Sequence, residues 1–600
     1  MTILATQPGY ADQKYARDAW LRALQKTAGI SEQAITLPQL IERLGLQFGA
    51  RPALSCAEAS FTYAQLGARC HQYARWGISA GLASGDVVAL LMHNCAQYLA
   101  VWLGLSRIGV TVALINSQLV GDTLAHSVNI AGPKYLIVGA DFAARIEAIR
   151  PRLPSQLKYR VLGTSGADFV PLDPELAAFP AELLPASERF YPSLDSTALY
   201  IYTSGTTGLP KAAKVSHYRL MQWSHWFAGM MDTQPSDRMF NCLPLYHSVG
   251  GVVANFATLV SGGMVVIRSR FSASDFWRDV CEQRCTLFQY IGELCRYLVN
   301  TPYQRIETGH VLRLACGNGL RPEVWEKFKE RFRIPRILEY YASTEGNFSL
   351  YNCEQQPGAI GRIPAFLSHR LPVALVRFDA ERSQPWRNAG GFCEACAVNE
   401  VGEALGLIPP DKGRAGRFEG YADEGDSTRK VLRNVFDRAD AWYRTGDLMR
   451  RDERGFYYFV DRVGDTYRWK GENVSTAEVL SALTSCRGVI DGVVYGVAVP
   501  GSDGRAGCAA LVVEKAFDLL VFREETASRL PAYARPVFLR ILSSLETTGT
   551  FKPRKADFIQ QGFSPKRISD PMYFDDVRVQ RYVPLDGALF EAISNGALRL

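Results

Sequence analysis

The chain has 600 residues, 47% of them apolar and 21% charged, and its 67 basic and 60 acidic side chains leave a formal net charge of +7. That length exceeds what one hydrophobic core holds, so at least two domains are expected, and the composition excludes a disordered, collagen-like or coiled-coil chain. The positive excess is thin and gathers into no Lys/Arg stripe, which sets nucleic-acid binding aside and leaves an anionic cofactor or an acidic membrane surface as compatible partners.

The opening stretch MTILATQPGYADQKYARD has neither the basic start nor the apolar run of a signal peptide. The 13 cysteines follow no disulfide or zinc spacing. Together these predict reduced thiols and a cytoplasmic chain.

From about residue 30 the pattern alternates: QLIERLGLQF reads as an amphipathic helix, VVALLM and YLIVGA as buried strands. Between them lies the longest apolar stretch, Tyr98 to Asn116. Arg107 in its middle and Gly109 just beyond predict a helix to about Arg107 followed by a buried strand, rather than a transmembrane span. The alternation resumes after Ser224 with GGMVVIRS as a strand and FWRDVCEQRC as a helix. An α/β fold follows: a large N-terminal region of several subdomains, with mixed sheets flanked by helices, over residues 1–461. The Gly- and Asp-rich stretch ending in VDRVGD then leads into a helical pattern, TAEVLSALTSC, and two strand patterns, GVVYGVAVP and CAALVVEKA. These predict a small, mobile α+β domain over residues 462–600.

The strongest chemical signal is the run Tyr202 to Lys211, YTSGTTGLPK, between a strand pattern and a helical one. Thr203, Ser204, Gly205, Thr206, Thr207 and Gly208 offer hydroxyls and unobstructed backbone N–H groups to phosphate oxygens, and Lys211 adds a positive charge. A Walker loop would need Gly-Lys adjacent and then Ser or Thr; Leu209, Pro210 and Ala212 break that spacing, which removes the P-loop hydrolases.

This run closely resembles the phosphate-binding signature of the adenylate-forming enzymes, which include acyl-CoA synthetases, luciferases and peptide-synthetase adenylation domains. Further segments fit that family in order. In YYASTEG the resemblance implies that Tyr341 stacks on adenine, Thr344 meets the α-phosphate and Glu345 holds Mg2+; a helix-capping turn is the plain alternative for the same residues. Gly317, Asn318 and Gly319 in LACGNGLRP fall at the family's adenine loop, where an ordinary turn is the alternative. Asp447 in YRTGD and Arg462 in VDRVGD match the pair that meets the ribose, and Gly464 occupies the hinge position, where relatives carry Asp or Lys. Lys552 in TTGTFKPRK corresponds to the lysine that lies between the attacking carboxylate and the α-phosphate. His247 in LPLYHSVGG matches an aromatic or histidine at the mouth of the acyl pocket; a loop histidine with its hydrogen bonds met explains it as well.

Several longer segments, among them WLGLSRIGVTVALINSQLVGDTLAHS, YIGELCRYL, RFEGYADEGDSTRK and DRVGDTYRWKGENVSTAEV, are similar to the fatty acid transport protein and very-long-chain acyl-CoA synthetase branch. That resemblance implies an ATP- and Mg2+-dependent ligase that converts a long fatty acid to acyl-AMP and then to its coenzyme A thioester, coupled to fatty acid uptake. Peripheral association with the inner face of a membrane follows from where the substrate resides. Phe256, Leu259, Phe276, Phe288, Tyr290, Leu294 and Leu298 would line an acyl tunnel or simply form core. A membrane transporter and a ligase loading a carrier protein stay open as alternatives, and so does the oligomeric state.

Overall fold

The computed structural model describes residues 10–600 apart from 165–168, 186–187, 189, 205–208, 380–381, 411–412, 415, 471, 501–503, 548–554 and 599. The chain divides into two compact units, one of Met1–Leu371 with Ile408–Val431, the other of Pro372–Leu407 with Leu432–Leu600.

The first unit carries two large sheets. One runs in the order Val170–Pro171, Lys158–Leu162, Tyr135–Gly139, Val87–Leu91, Thr111–Leu114, Thr197–Ser204, Pro210–Ser216, parallel until the last pair, which is antiparallel. The other begins with Ser349–Asn352 antiparallel to Ile337–Ala342, continues in parallel through Leu314–Asn318, Leu287–Ile291, Arg238–Asn241, Met264–Ile267 and Pro52–Ser55, and ends on antiparallel Ser60–Thr62. Parallel strands buried on both faces explain the short continuous apolar runs in the sequence.

The long apolar stretch folds as its polar interruptions predict: helix Ala96–Arg107, then strand Thr111–Leu114, whose four residues are all buried. Gly104 lets this helix lie against helix Tyr63–Ser79, because a Cβ there would sit 2.5 Å from the Cys70 carbonyl oxygen. Arg107 is itself buried, with its Nε 2.7 Å from Glu42 Oε1 and its Nη1 2.5 Å from the Phe190 carbonyl. His71 Nε2 lies 3.3 Å from the same Glu42 oxygen. Burial pulls the Glu42 carboxyl upward, but the bonds from His71 and Arg107 outweigh it and hold it below the usual glutamate range. Among the described residues no helix is long and apolar enough to cross a membrane.

The second unit holds an antiparallel sheet built on Val373–Asp379, Gly402–Leu407, Ala441–Arg451 and Tyr457–Arg462. Arg462, where the sequence predicts the small domain to begin, is the last residue of a strand in this unit. Beyond it come the helix Thr476–Thr484 and a five-stranded sheet in the order Val489–Ala498, Arg505–Val513, Phe538–Leu542, Met572–Asp576, Arg581–Pro584. The Ser475 hydroxyl, accepting from the Glu478 N–H, starts that helix.

Candidate functional site

In the first unit the hairpin of Thr197–Ser204 and Pro210–Ser216 sets Thr203 directly opposite Lys211. Gly205, Thr206, Thr207 and Gly208, and the side chain of Ser204, lie outside the described residues. Lys211 is only 7% exposed, and its Nζ is 2.8 Å from Asp426 Oδ1. Burial alone would raise the Asp426 carboxyl, but hydrogen bonds from Lys211 and Arg429 prevail and hold it below the ordinary aspartate range.

Asp426 reaches Lys211 because the segment before it runs antiparallel beside the lysine's strand. Tyr421 bridges Ala213, the Lys214 N–H donates to the Gly420 carbonyl at 2.9 Å, and the Ala422 N–H donates to the Ala212 carbonyl at 2.8 Å. One residue earlier, the Glu419 carboxylate accepts from the Ser216 N–H at 2.7 Å and from the Ser216 hydroxyl. Arg219, in the helix His217–Met230, donates to the carbonyls of Thr344 and Arg417, each at 2.7 Å.

Those bonds fix the turn that follows strand Ile337–Ala342. Thr344 Oγ1 lies 3.2 Å from Ser248 Oγ. Glu345 is buried, and its Oε1 accepts from the Tyr421 phenol at 2.7 Å. The Tyr421 phenol is raised first by burial and then by the Glu345 charge. Tyr341 stands half-buried, its ring edge-on to Phe348 with centroids 5.5 Å apart. His247 lies half-buried in the Pro244 turn, its ring 4.5 Å from that of Tyr246.

Gly317 and Asn318 end the strand beside Tyr341's own and Gly319 follows them, with Gly317 in register with Glu339. The tight loop needs its glycines: a Cβ on Gly317 would lie 2.3 Å from the Tyr290 carbonyl, and Gly319 has φ of +77°. The predicted adenine loop and the predicted adenine-stacking ring thus share the carboxyl ends of two neighbouring parallel strands, where open α/β sheets bind ligands. Below them sits Glu339, fully buried, accepting from the Tyr290 phenol at 2.5 Å and from the Leu320 N–H at 3.1 Å. Burial pushes its carboxyl up to about 8.

The acyl-tunnel candidates Phe256, Leu259, Phe276, Phe288, Tyr290, Leu294 and Leu298 are all buried. Phe276 packs against Phe240 and Phe288, with ring centroids 5.1 and 4.7 Å away. Tyr290 is the one among them whose phenol meets a charged-type side chain near the adenine loop.

The second unit carries the other predicted contacts. Asp447 and Arg462 face each other across neighbouring strands, with Nε 3.6 Å from Oδ1. Two residues on, Gly464 has φ of +91°, and a Cβ there would meet nothing within 4 Å. Asp465 lies 3.0 Å from Lys555 Nζ, which also donates to Thr476 Oγ1 at 2.6 Å. Lys552 lies outside the described residues.

Sequence reasoning missed Tyr421, Asp426, Glu419, Arg219 and Glu339. Of these, Glu339 had a visible signal, a carboxylate in the middle of the apolar strand pattern RILEYYA. The other four act through partners more than 70 residues away in the chain, which no local pattern reveals.

A model of the family described as AMP-binding enzyme matches residues 41–378. Mouse long-chain fatty acid transport protein 1 is 38% identical over 576 residues, covering 94% of this chain and 88% of that protein. Mouse long-chain fatty acid transport protein 6 is 40% identical over 551 residues, 90% of this chain and 87% of that protein. The crystal structure of an anthranilate CoA ligase in complex with anthranoyl-AMP superposes with a TM-score of 0.73 at 20% identity, covering 87% of this chain and 96% of that one, which establishes the shared fold. The chain therefore belongs to the AMP-binding enzymes and is an AMP-forming ligase of the acyl-CoA type, related to the long-chain fatty acid transport proteins.

Proposed function

We propose that this enzyme activates long- or very-long-chain fatty acids with ATP and transfers the acyl group to coenzyme A. A carboxylate oxygen attacks the α-phosphorus, the bond to pyrophosphate breaks, and acyl-AMP forms. The CoA thiol, losing its proton, then attacks the acyl carbonyl carbon, and AMP departs. The observation that supports this reading is that buried Lys211 and buried Glu345 are held in the first unit by one segment, through Asp426 and Tyr421, a cation and a carboxylate of the kinds a triphosphate and its metal call for.

Lys211 and the hydroxyls of the phosphate loop hold the β- and γ-phosphates, and Thr344 meets the α-phosphate. Tyr341 and the loop Gly317–Gly319 hold adenine, while Asp447, with Arg462 beside it, accepts from the ribose hydroxyls. Lys552 lies between carboxylate and α-phosphate and offsets their repulsion. Buried Glu345 would hold Mg2+ through a hard carboxylate oxygen. When bound, Mg2+ neutralises charge on the departing pyrophosphate. His247 borders the entry of the acyl chain, and residues from 462 onward turn about Gly464 between the two half-reactions.

A fatty acid substrate, as the names of the transport proteins suggest, brings the enzyme to the cytoplasmic face of a membrane as a peripheral protein. Uptake then follows from trapping the acid as its CoA thioester.

The test is acid-dependent AMP release from ATP by the purified protein, over acids from medium to very long chains, with and without CoA. Release that requires both a long acid and CoA supports the synthetase. Acyl-AMP that accumulates without CoA points instead to a ligase loading a carrier protein, and silence with every acid revives binding or transport.

A further inference from the structure

The segment Phe418–Arg429 has no assigned role in the chemistry above, yet it supplies the partner of each of the two charged groups at the phosphate end of the site. Those groups are Lys211 and Glu345. The lysine is joined to Asp426 and the glutamate to Tyr421, and both partners stand on this one segment. Resting on the nucleotide-site reading, we propose that Tyr421 and Asp426 are positioning residues: Tyr421 orients the Glu345 carboxylate toward the metal, and Asp426 aims the Lys211 ammonium at the phosphates.

The geometry assigns each a specific task. The Tyr421 hydroxyl donates to Glu345 Oε1 at 2.7 Å and also meets the Thr203 side chain, so one phenol links the phosphate hairpin to the proposed metal carboxylate. A buried carboxylate has several rotamers; a hydrogen bond to one oxygen selects one of them, which is how neighbouring groups tune a metal's ligands. Lys211 has three N–H donors, and Asp426 Oδ1 engages one at 2.8 Å, fixing the direction of the other two. The Tyr421 ring also lies against this ammonium, its centroid 5.8 Å from Lys211 Nζ.

The segment is built to hold these two side chains still. Gly420 takes φ of +73°, and a Cβ there would lie 2.7 Å from Ser427 Oγ. That hydroxyl accepts from the Tyr421 N–H at 2.8 Å, and Asp423 accepts from the Asp426 N–H at 2.8 Å at the start of helix Glu424–Arg429. Glu419, bonded to Ser216, anchors the other end of the turn to the strand that carries Lys211.

The experiment is calorimetric binding of ATP to the full-length protein, in EDTA and across a Mg2+ titration. Tyr421→Phe keeps the ring and its packing, so metal-free ATP affinity should stay near that of the wild type, while the Mg2+ concentration needed for half of its effect should rise about tenfold. A purely structural role would lower thermal stability and leave that Mg2+ midpoint in place. For Asp426, the readout is a cycle on ATP affinity with Lys211→Ala: Asp426→Ala alone should weaken binding severalfold and should do nothing further once Lys211 is gone. Wild-type ATP binding with an unmoved Mg2+ midpoint in Tyr421→Phe, or with additive effects in the cycle, overturns this proposal alone. A wild-type protein that binds no ATP overturns the nucleotide-site reading, and this proposal with it.

Discussion

The Tyr290 phenol donates a 2.5 Å hydrogen bond to the carboxyl of Glu339, which also accepts from the Leu320 N–H at the predicted adenine loop. Burial beneath the proposed nucleotide site outweighs these two bonds, which favour the carboxylate, and raises the group from an ordinary 4.5 to about 8. The unfolded chain has released this proton by pH 6, whereas the folded chain still holds it. The folded state therefore binds more protons between these two values, and stability falls as pH rises from about 4.5 toward about 8. Glu339→Gln, which never ionises, should remove this slope, with a difference on the order of a few kcal/mol by pH 8. Thermal melting of both proteins across that range checks it; parallel pH profiles would remove Glu339 from the account.

Lys552→Ala should reduce acyl-AMP formation by at least about a hundredfold, the scale set by removing a group that stabilises transition-state charge. Thioester formation from supplied acyl-AMP should persist. The two half-reactions are assayed separately on folded protein, and equal loss of both refutes the division of labour.

Asp447→Ala removes the carboxylate assigned to the ribose and leaves Arg462 without its cross-strand partner. Charge-assisted hydrogen bonds of this kind contribute about 1.5–3 kcal/mol each, so ATP affinity should fall by roughly tenfold or more. Calorimetry with ATP measures this directly. Unchanged affinity takes Asp447 out of the site.

Arg107→Met strands Glu42 beside His71 in the interior and should cost about 3–5 kcal/mol. Adding Glu42→Gln removes the stranded charge and should recover part of that loss. Chemical denaturation of both variants decides; a double variant no more stable than the single one would show that the loss comes from packing of the arginine stem instead.

How far the sequence reveals this molecule depends on the range of the interaction involved. Ala96–Arg107 and Thr111–Leu114 were legible because an arginine and a glycine interrupt an apolar run at places that suit a helix end and a turn, but not a bilayer. The strands at Val489–Ala498 and Arg505–Val513 were legible for the same reason: strand periodicity is local. The phosphate loop was read from ten consecutive residues between a strand pattern and a helical one; the structure differs in that the chain first returns as the antiparallel strand Pro210–Ser216, which sets Thr203 opposite Lys211, before the helix His217–Met230 begins. Tyr421 and Asp426 were visible only as part of a segment shared with relatives, because their meaning lies in Glu345 and Lys211, at distances along the chain that no pattern of spacing spans.

The first unit is discontinuous in the chain: it leaves off at Leu371 and takes up Ile408–Val431 before the chain departs again. During synthesis the lysine of the phosphate hairpin emerges more than two hundred residues ahead of the aspartate that neutralises it. Until that later stretch appears, a nascent chain holds the Lys211 ammonium without its Asp426 partner, and water must solvate it. Vectorial folding therefore completes the Lys211 end of this unit late, and a fragment truncated at Leu371 would retain both sheets yet lack the strap that pairs with Pro210–Ser216.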